Sequence, residues 1–189
     1  MMKTDTFLRP ASLLLLLAVA ATMVLPAQAQ RKAVDRSTDI LCLAPSATGL
    51  IAAIVHHDKK GILQLGLSTA TGLAVNYGLE LAIHKPRPDG SGNHAFPSTH
   101  TVAAFNGATF LMRRYGWKWG VPAYAVSTYV AWGRHYARKH DWWDIAAGAA
   151  LGAGCTLIYT RPLLKEADLT IAPASFGDDG KGITATLVF

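Results

Sequence analysis

Pro97-Ser98-Thr99-His100, followed without a break by the largely apolar run Thr101 to Met112, is the stretch from which this chain is most directly read. Pro97 and Ser98 mark the start of a helix, and the run behind them carries it. Similar apolar runs stand on either side, at Ile40 to Val55, Ile62 to Ile83, Val121 to Trp132 and Trp142 to Thr160. Their length and their Ala, Leu and Gly content favour helices over strands. The breaks His56 to Gly61 and Arg113 to Lys118 are compact turns, whereas Lys85 to Thr99 is a longer loop rich in Pro, Gly, Ser and Asn. The fold class is therefore all-α, a bundle of about five helices. Residues 166–189 change character: Leu169 to Ser175 and Gly182 to Phe189 alternate like strands around a turn at Phe176 to Lys181, which predicts a short C-terminal β-hairpin.

The N-terminus reads as a secretory signal over residues 1–29. Lys3 and Arg9 precede the apolar run Leu13 to Leu25, and Ala27-Gln28-Ala29 has the form of a small-x-small cleavage site. An uncleaved first membrane helix is the alternative, and either one brings the chain to a membrane. No Cys stands just after this segment, so a lipid anchor is not indicated. The helical domain then occupies residues 30–165, within a remainder of about 160 residues that suits one core. The formal charge is +6, and without Lys3, Arg9 and Asp5 it is +5. That surplus suits an anionic substrate or a membrane surface, and no nucleic-acid partner is indicated. Cys42 and Cys155 lie in apolar stretches where a buried free thiol is usual, and a disulfide stays open in an oxidising compartment.

Counting helices brings three clusters to one end of the bundle: Lys85-Pro86-Arg87-Pro88, Pro97-Ser98-Thr99-His100, and Arg134 with His140 and Asp144. Lys59, Lys60, Arg113, Arg114, Lys118 and Arg161 collect at the other. If the helices lie in a bilayer, that basic end is cytoplasmic and the three clusters face the periplasm. Full spans need about 20 apolar residues, and several of these runs are shorter, so a soluble or peripheral bundle stays open.

Two histidines, a carboxylate and a set of cations are the inventory for attacking and holding a phosphate ester. Asp144 lies four residues beyond His140 on one helix face, where a carboxylate can take the proton of one ring nitrogen and leave the other as a nucleophile. A purely structural His–Asp pair reads equally well from these two residues alone. Ser98 Oγ and the amides after it can hold phosphate oxygens, and His100 is placed to protonate a leaving alkoxide. Lys85, Arg87 and Arg134 supply cations, the two arginines as bidentate forks for phosphate oxygens.

These clusters resemble the type 2 phosphatidic acid phosphatase family, which shares its site with vanadium haloperoxidases. Its pattern K-x6-R-P, P-S-G-H and S-R-x5-H-x3-D is answered by Arg87-Pro88, by Pro97-Ser98-Thr99-His100, and by Gly133-Arg134 with His140 and Asp144. The resemblance implies a metal-free, cofactor-free phosphatase with His140 as a nucleophile forming a phosphohistidine, Asp144 as its orienter and His100 as general acid. It also implies that Arg87, Arg134, Ser98 and the Thr99 amide bind phosphate. Three positions depart from the pattern: Glu80 stands where the family has Lys, Thr99 where it has Gly, and Gly133 where it has Ser. Lys85 is the candidate to replace the missing cation. Each lost contact corresponds to about 1–3 kcal/mol of transition-state binding.

The expected function is hydrolysis of phosphate monoesters or diphosphates, lipid-linked or soluble, on the periplasmic side. A phosphate-binding protein that has lost turnover is the alternative that the three departures favour. A vanadium-dependent peroxidase stands third, since the chain is short for such a scaffold.

Overall fold

The computed structural model describes residues 27–163, 168–176 and 180–188. The expected signal lies almost wholly outside them, as do residues 177–179 of the expected hairpin turn. Helices α1 (Ala27–Leu41), α2 (Ala44–Val55), α3 (Lys59–Ala82), α4 (Thr99–Tyr115), α5 (Trp117–Tyr136) and α6 (Trp142–Tyr159) precede strands β1 (Asp168–Phe176) and β2 (Gly180–Val188). The chain is mostly helical. Taken as the single stretch Ala27–Val55, α1 and α2 leave five helical units. The apolar pattern reaches only the second half of that stretch, because Arg31, Lys32, Asp35, Arg36 and Asp39 make α1 amphipathic. The two strands pair antiparallel, with Ile171 opposite Ala185.

Helix α4 is the axis of the bundle, and α2, α3, α5 and α6 all pack on it. Its Val102, Phe110 and Leu111 side chains are essentially removed from water. Small residues set the spacing between helices. A Cβ on Gly107 would strike the backbone of Pro45 and Ser46 in α2, and one on Gly148 would come within 2.7 Å of the Ser98 carbonyl oxygen. One on Gly152 would strike the Val102 carbonyl. Backbones this close gain dispersion contacts along their whole length. Cys42 and Cys155 are free and buried.

The helix ends are specified locally. Asp58 caps α3 by accepting from the Gly61 amide. Gly116, at φ 90°, ends α4 in a conformation that side chains disfavour. Asp141 opens α6 with a capping box in which its carboxylate accepts from the Trp143 and Asp144 amides, while the Asp144 carboxylate accepts from the Asp141 amide. At the basic end, Arg114 grips Asp58 through Nε (2.7 Å) and Nη2, and its Nη1 donates to the Arg161 carbonyl at 2.7 Å. The guanidinium, the partner whose bond weighs most, holds the Asp58 carboxyl down at about 2.

Replacing Gly107 with Ala forces α2 away from α4. The expected outcome is a loss of about 1–3 kcal/mol, the usual scale of core overpacking, read as a lower thermal midpoint. The same exchange at Gly66, where an added Cβ meets nothing within 4 Å, should leave the midpoint unchanged or raised.

Candidate active site

His140 follows the turn that ends α5. The amides of Lys139 and His140 both return to the Arg134 carbonyl, at 3.0 and 3.3 Å, and Arg138 adopts φ 60° to make the turn. The ring is 2 % exposed, and its Nδ1 lies 2.8 Å from the Ala95 carbonyl oxygen. A carbonyl only accepts, so Nδ1 carries the proton and Nε2 keeps its lone pair. Burial holds the ring's pKa down at about 3, with Arg134 and Arg87 pushing the same way. His140 is thus a neutral imidazole whose Nε2 lone pair is available.

Asp144 does not make the contact with His140 that the spacing predicts. Its nearer oxygen is 3.7 Å from Nδ1, beyond hydrogen-bond length. The carboxylate, fully buried, accepts from Lys85 Nζ at 2.6 Å and from the Asp141 amide at 3.0 Å. Lys85 also donates to Asp141 at 2.6 Å. Its ammonium is therefore spent on two carboxylates and does not stand free where the family's lysine is missing. These pairings raise the Lys85 pKa against the pull of desolvation and lower that of Asp141 in the same way.

Ser98 is fully buried, and its amide donates to the Asp144 carbonyl at 3.0 Å. Its Oγ accepts from Thr101 at 3.0 Å, which leaves the Ser98 hydroxyl hydrogen to be donated elsewhere. The Thr99 hydroxyl turns to Glu80, donating at 2.5 Å, and Asn76 Nδ2 donates to both at 2.8 and 2.9 Å. Two of the three departures from the family pattern are therefore direct partners.

Arg134 is 3 % exposed. Its Nη1 meets Asp35 at 2.7 Å, Asp39 at 2.9 Å and Thr38 Oγ1 at 3.4 Å. Its Nε is buried and unpartnered, as is Nε of Arg87. Asp39 also lies 2.9 Å from His100 Nε2. The three sequence clusters do converge, then, and they are joined by residues the motif reading passes over. The Ala95 carbonyl leaves no sequence signal. Asp35 and Asp39 do leave one, since their i, i+4 spacing puts two carboxylates on one face of α1. The third departure is what admits them: a Cβ on Gly133 would strike Thr38 Cγ2 and come within 3.1 Å of Val34.

The tautomer is directly observable. Nitrogen-15 shifts of His140 at pH 6 should show an unprotonated Nε2 and a protonated Nδ1. A doubly protonated ring at that pH would contradict the geometry.

Residues 61–166 match the family described as the PAP2 superfamily. Among curated proteins, the chain is 26 % identical over 133 residues to the lipid A 4'-phosphatase of Helicobacter pylori, covering 65 % of this chain and 67 % of that protein. It is 31 % identical over 93 residues to the lipid A 1-phosphatase of Porphyromonas gingivalis, a match that takes in 46 % of this chain and 21 % of the other. The crystal structure of Aquifex aeolicus LpxE superposes with a TM-score of 0.55 at 21 % identity, over 66 % of this chain and 84 % of that one, and so shares the fold. With more than half of its length matched and its three clusters brought together, the chain belongs to the PAP2 superfamily.

Proposed function

We propose that this enzyme hydrolyses a phosphate group carried by a lipid, through a phosphohistidine on His140. The observation that carries the reading is a pair of buried guanidinium Nε–H groups, on Arg87 and Arg134, with no acceptor among the described residues. They accompany a histidine whose tautomer leaves a lone pair for attack. Buried donors without acceptors are costly, and a phosphate oxygen is the acceptor that guanidinium groups fit best.

In the first step His140 Nε2 attacks phosphorus, the bond to the leaving oxygen breaks, and that oxygen takes a proton from His100. In the second step a water gives a proton to His100 and its oxygen attacks phosphorus. The P–N bond breaks, releasing phosphate and restoring neutral His140. Arg87, Arg134, Ser98 and the first amides of α4 hold the equatorial oxygens, where charge develops. Asp144 acts from behind, fixing Lys85 and the start of α6.

The relatives' names point to a phosphorylated lipid such as lipid A. The surface supports the same choice: Ile51, Ile54, Leu63 and Ile158 are each more than half exposed, an apolar display that water disfavours and acyl chains accept. Ala27–Val55 is long and apolar enough to cross a bilayer. With the basic end in the cytoplasm, the site opens on the periplasmic face.

The test is phosphate release by membranes carrying the wild type or His140→Ala. Its substrate panel is lipid A, phosphatidic acid, phosphatidylglycerol phosphate, undecaprenyl diphosphate and a soluble aryl phosphate. The expected result is release from a lipid substrate that His140→Ala lowers by about 10³-fold or more, as loss of a nucleophile does. Equal release by both proteins would sink the mechanism.

A further inference from the structure

Helix α1 carries its polar residues into the site, although it lies outside the matched family region, which begins at residue 61. Asp39 Oδ1 meets His100 Nε2 and Arg134 Nη1, each at 2.9 Å. Asp35 meets Arg134 alone, at 2.7 Å. The contact depends on close helix packing: Gly133 has no side chain, so Thr38 and Val34 lie directly on α5. Ser37 and Tyr129 hydroxyls bond at 2.9 Å further along the same seam. The approach of α1 is therefore built by packing, while the Asp39 side chain itself stays about half exposed.

We propose that Asp39 is a positioning residue for the acid step: it fixes the His100 ring through Nε2 and keeps the imidazolium available. The inference rests on the phosphatase reading above. With Nε2–H given to Asp39, Nδ1 is the ring nitrogen left to serve the leaving oxygen, and it has no hydrogen-bond partner among the described residues. The groups facing His100 are Asp39 and Asp35 from α1, Arg134 from α5 and His140 from the turn before α6. Arg87 of the long loop acts nearby on His140, and Glu80 of α3 holds the neighbouring Thr99. Burial disfavours a proton on His100 and Arg134 opposes it as well, which lowers the pKa of the ring, while the two α1 carboxylates work against that fall, Asp39 as the nearest anion.

The decisive substitution is Asp39→Asn, which keeps size and a hydrogen-bonding oxygen while removing the charge. A phosphatase that needs protonated His100 loses rate as pH rises through the titration of that ring. In Asp39→Asn this alkaline limb of kcat/KM should move to lower pH by about one unit, so that the rate above the limb falls about tenfold. Asp35→Asn, which touches Arg134 and not His100, should raise KM for the phosphorylated lipid and move the limb far less. Nuclear magnetic resonance of the full chain in detergent micelles gives a readout independent of turnover: His100 should titrate at lower pH in Asp39→Asn than in the wild type.

An active wild type whose limb and His100 titration are unmoved in Asp39→Asn would overturn the proposal while leaving the phosphatase reading intact. A fall in KM with unchanged kcat would overturn it too, showing that Asp39 competes with substrate for Arg134. A wild type that releases no phosphate from any substrate would instead remove the phosphatase reading, and the acid-step role with it. Gly133→Ser supplies a further check, since a side chain there displaces α1 and should reproduce the shifted limb without any change of charge.

Discussion

Lys85 Nζ, held at 2.6 Å from both Asp141 and Asp144, joins three parts of the chain that are distant in sequence. The lysine belongs to the loop after α3, and the two carboxylates belong to the capping box that begins α6. The backbone of Asp144 then receives the Ser98 amide at the start of α4. A fully buried carboxylate is tolerable only when paired and hydrogen-bonded. Asp144 meets that condition with one ammonium and one amide, and in doing so draws three chain segments to one point.

From that knot the setting of His140 follows. The Ala95 amide returns to the Lys85 carbonyl at 3.0 Å, which places the Ala95 carbonyl against His140 Nδ1. The tautomer that the spacing assigns to a direct Asp144 contact is thus imposed by a peptide carbonyl, which the same knot holds in place. Asp144 still controls His140, though at one remove. An acceptor with no charge also leaves the imidazole less inclined to take a second proton than a carboxylate in contact would, which agrees with the low pKa of the ring.

The helical class and the meeting of the three clusters are legible because each depends on residue type and on counting. Apolar runs separated by short polar breaks determine an up-and-down bundle, and motif spacing determines which ends coincide. Two kinds of feature were not legible. Backbone groups such as the Ala95 carbonyl carry no residue signature, and their direction is decided by the loop path. Helix α1 carries no apolar run to mark it, because its polar residues are the face it turns to Arg134 and His100. Lys85 was legible as a cation and not as a partner, since its proximity to two carboxylates on α6 is a tertiary fact.

The departures at Glu80, Thr99 and Gly133 read in sequence as three separate losses, yet in the fold they form two compensated arrangements. Glu80 puts a negative charge where the family has a positive one, but its carboxylate oxygen is taken up by the Thr99 hydroxyl and by Asn76. That satisfaction makes the charge tolerable and turns the Thr99 side chain toward α3. Gly133 removes a hydroxyl, but the space it leaves is where α1 docks, and α1 brings Asp35 and Asp39 to Arg134 and His100. A serine there would contribute one donor and exclude two carboxylates. The charge pattern around the three clusters has been redistributed rather than depleted: position 80 of α3 carries Glu where the family has Lys, while a helix from the N-terminal side supplies anions that restrain Arg134 and His100. Because Arg134 keeps its Nε unpartnered under that restraint, the guanidinium is oriented on one edge and still free to bind on another, which is the condition a phosphate oxygen requires.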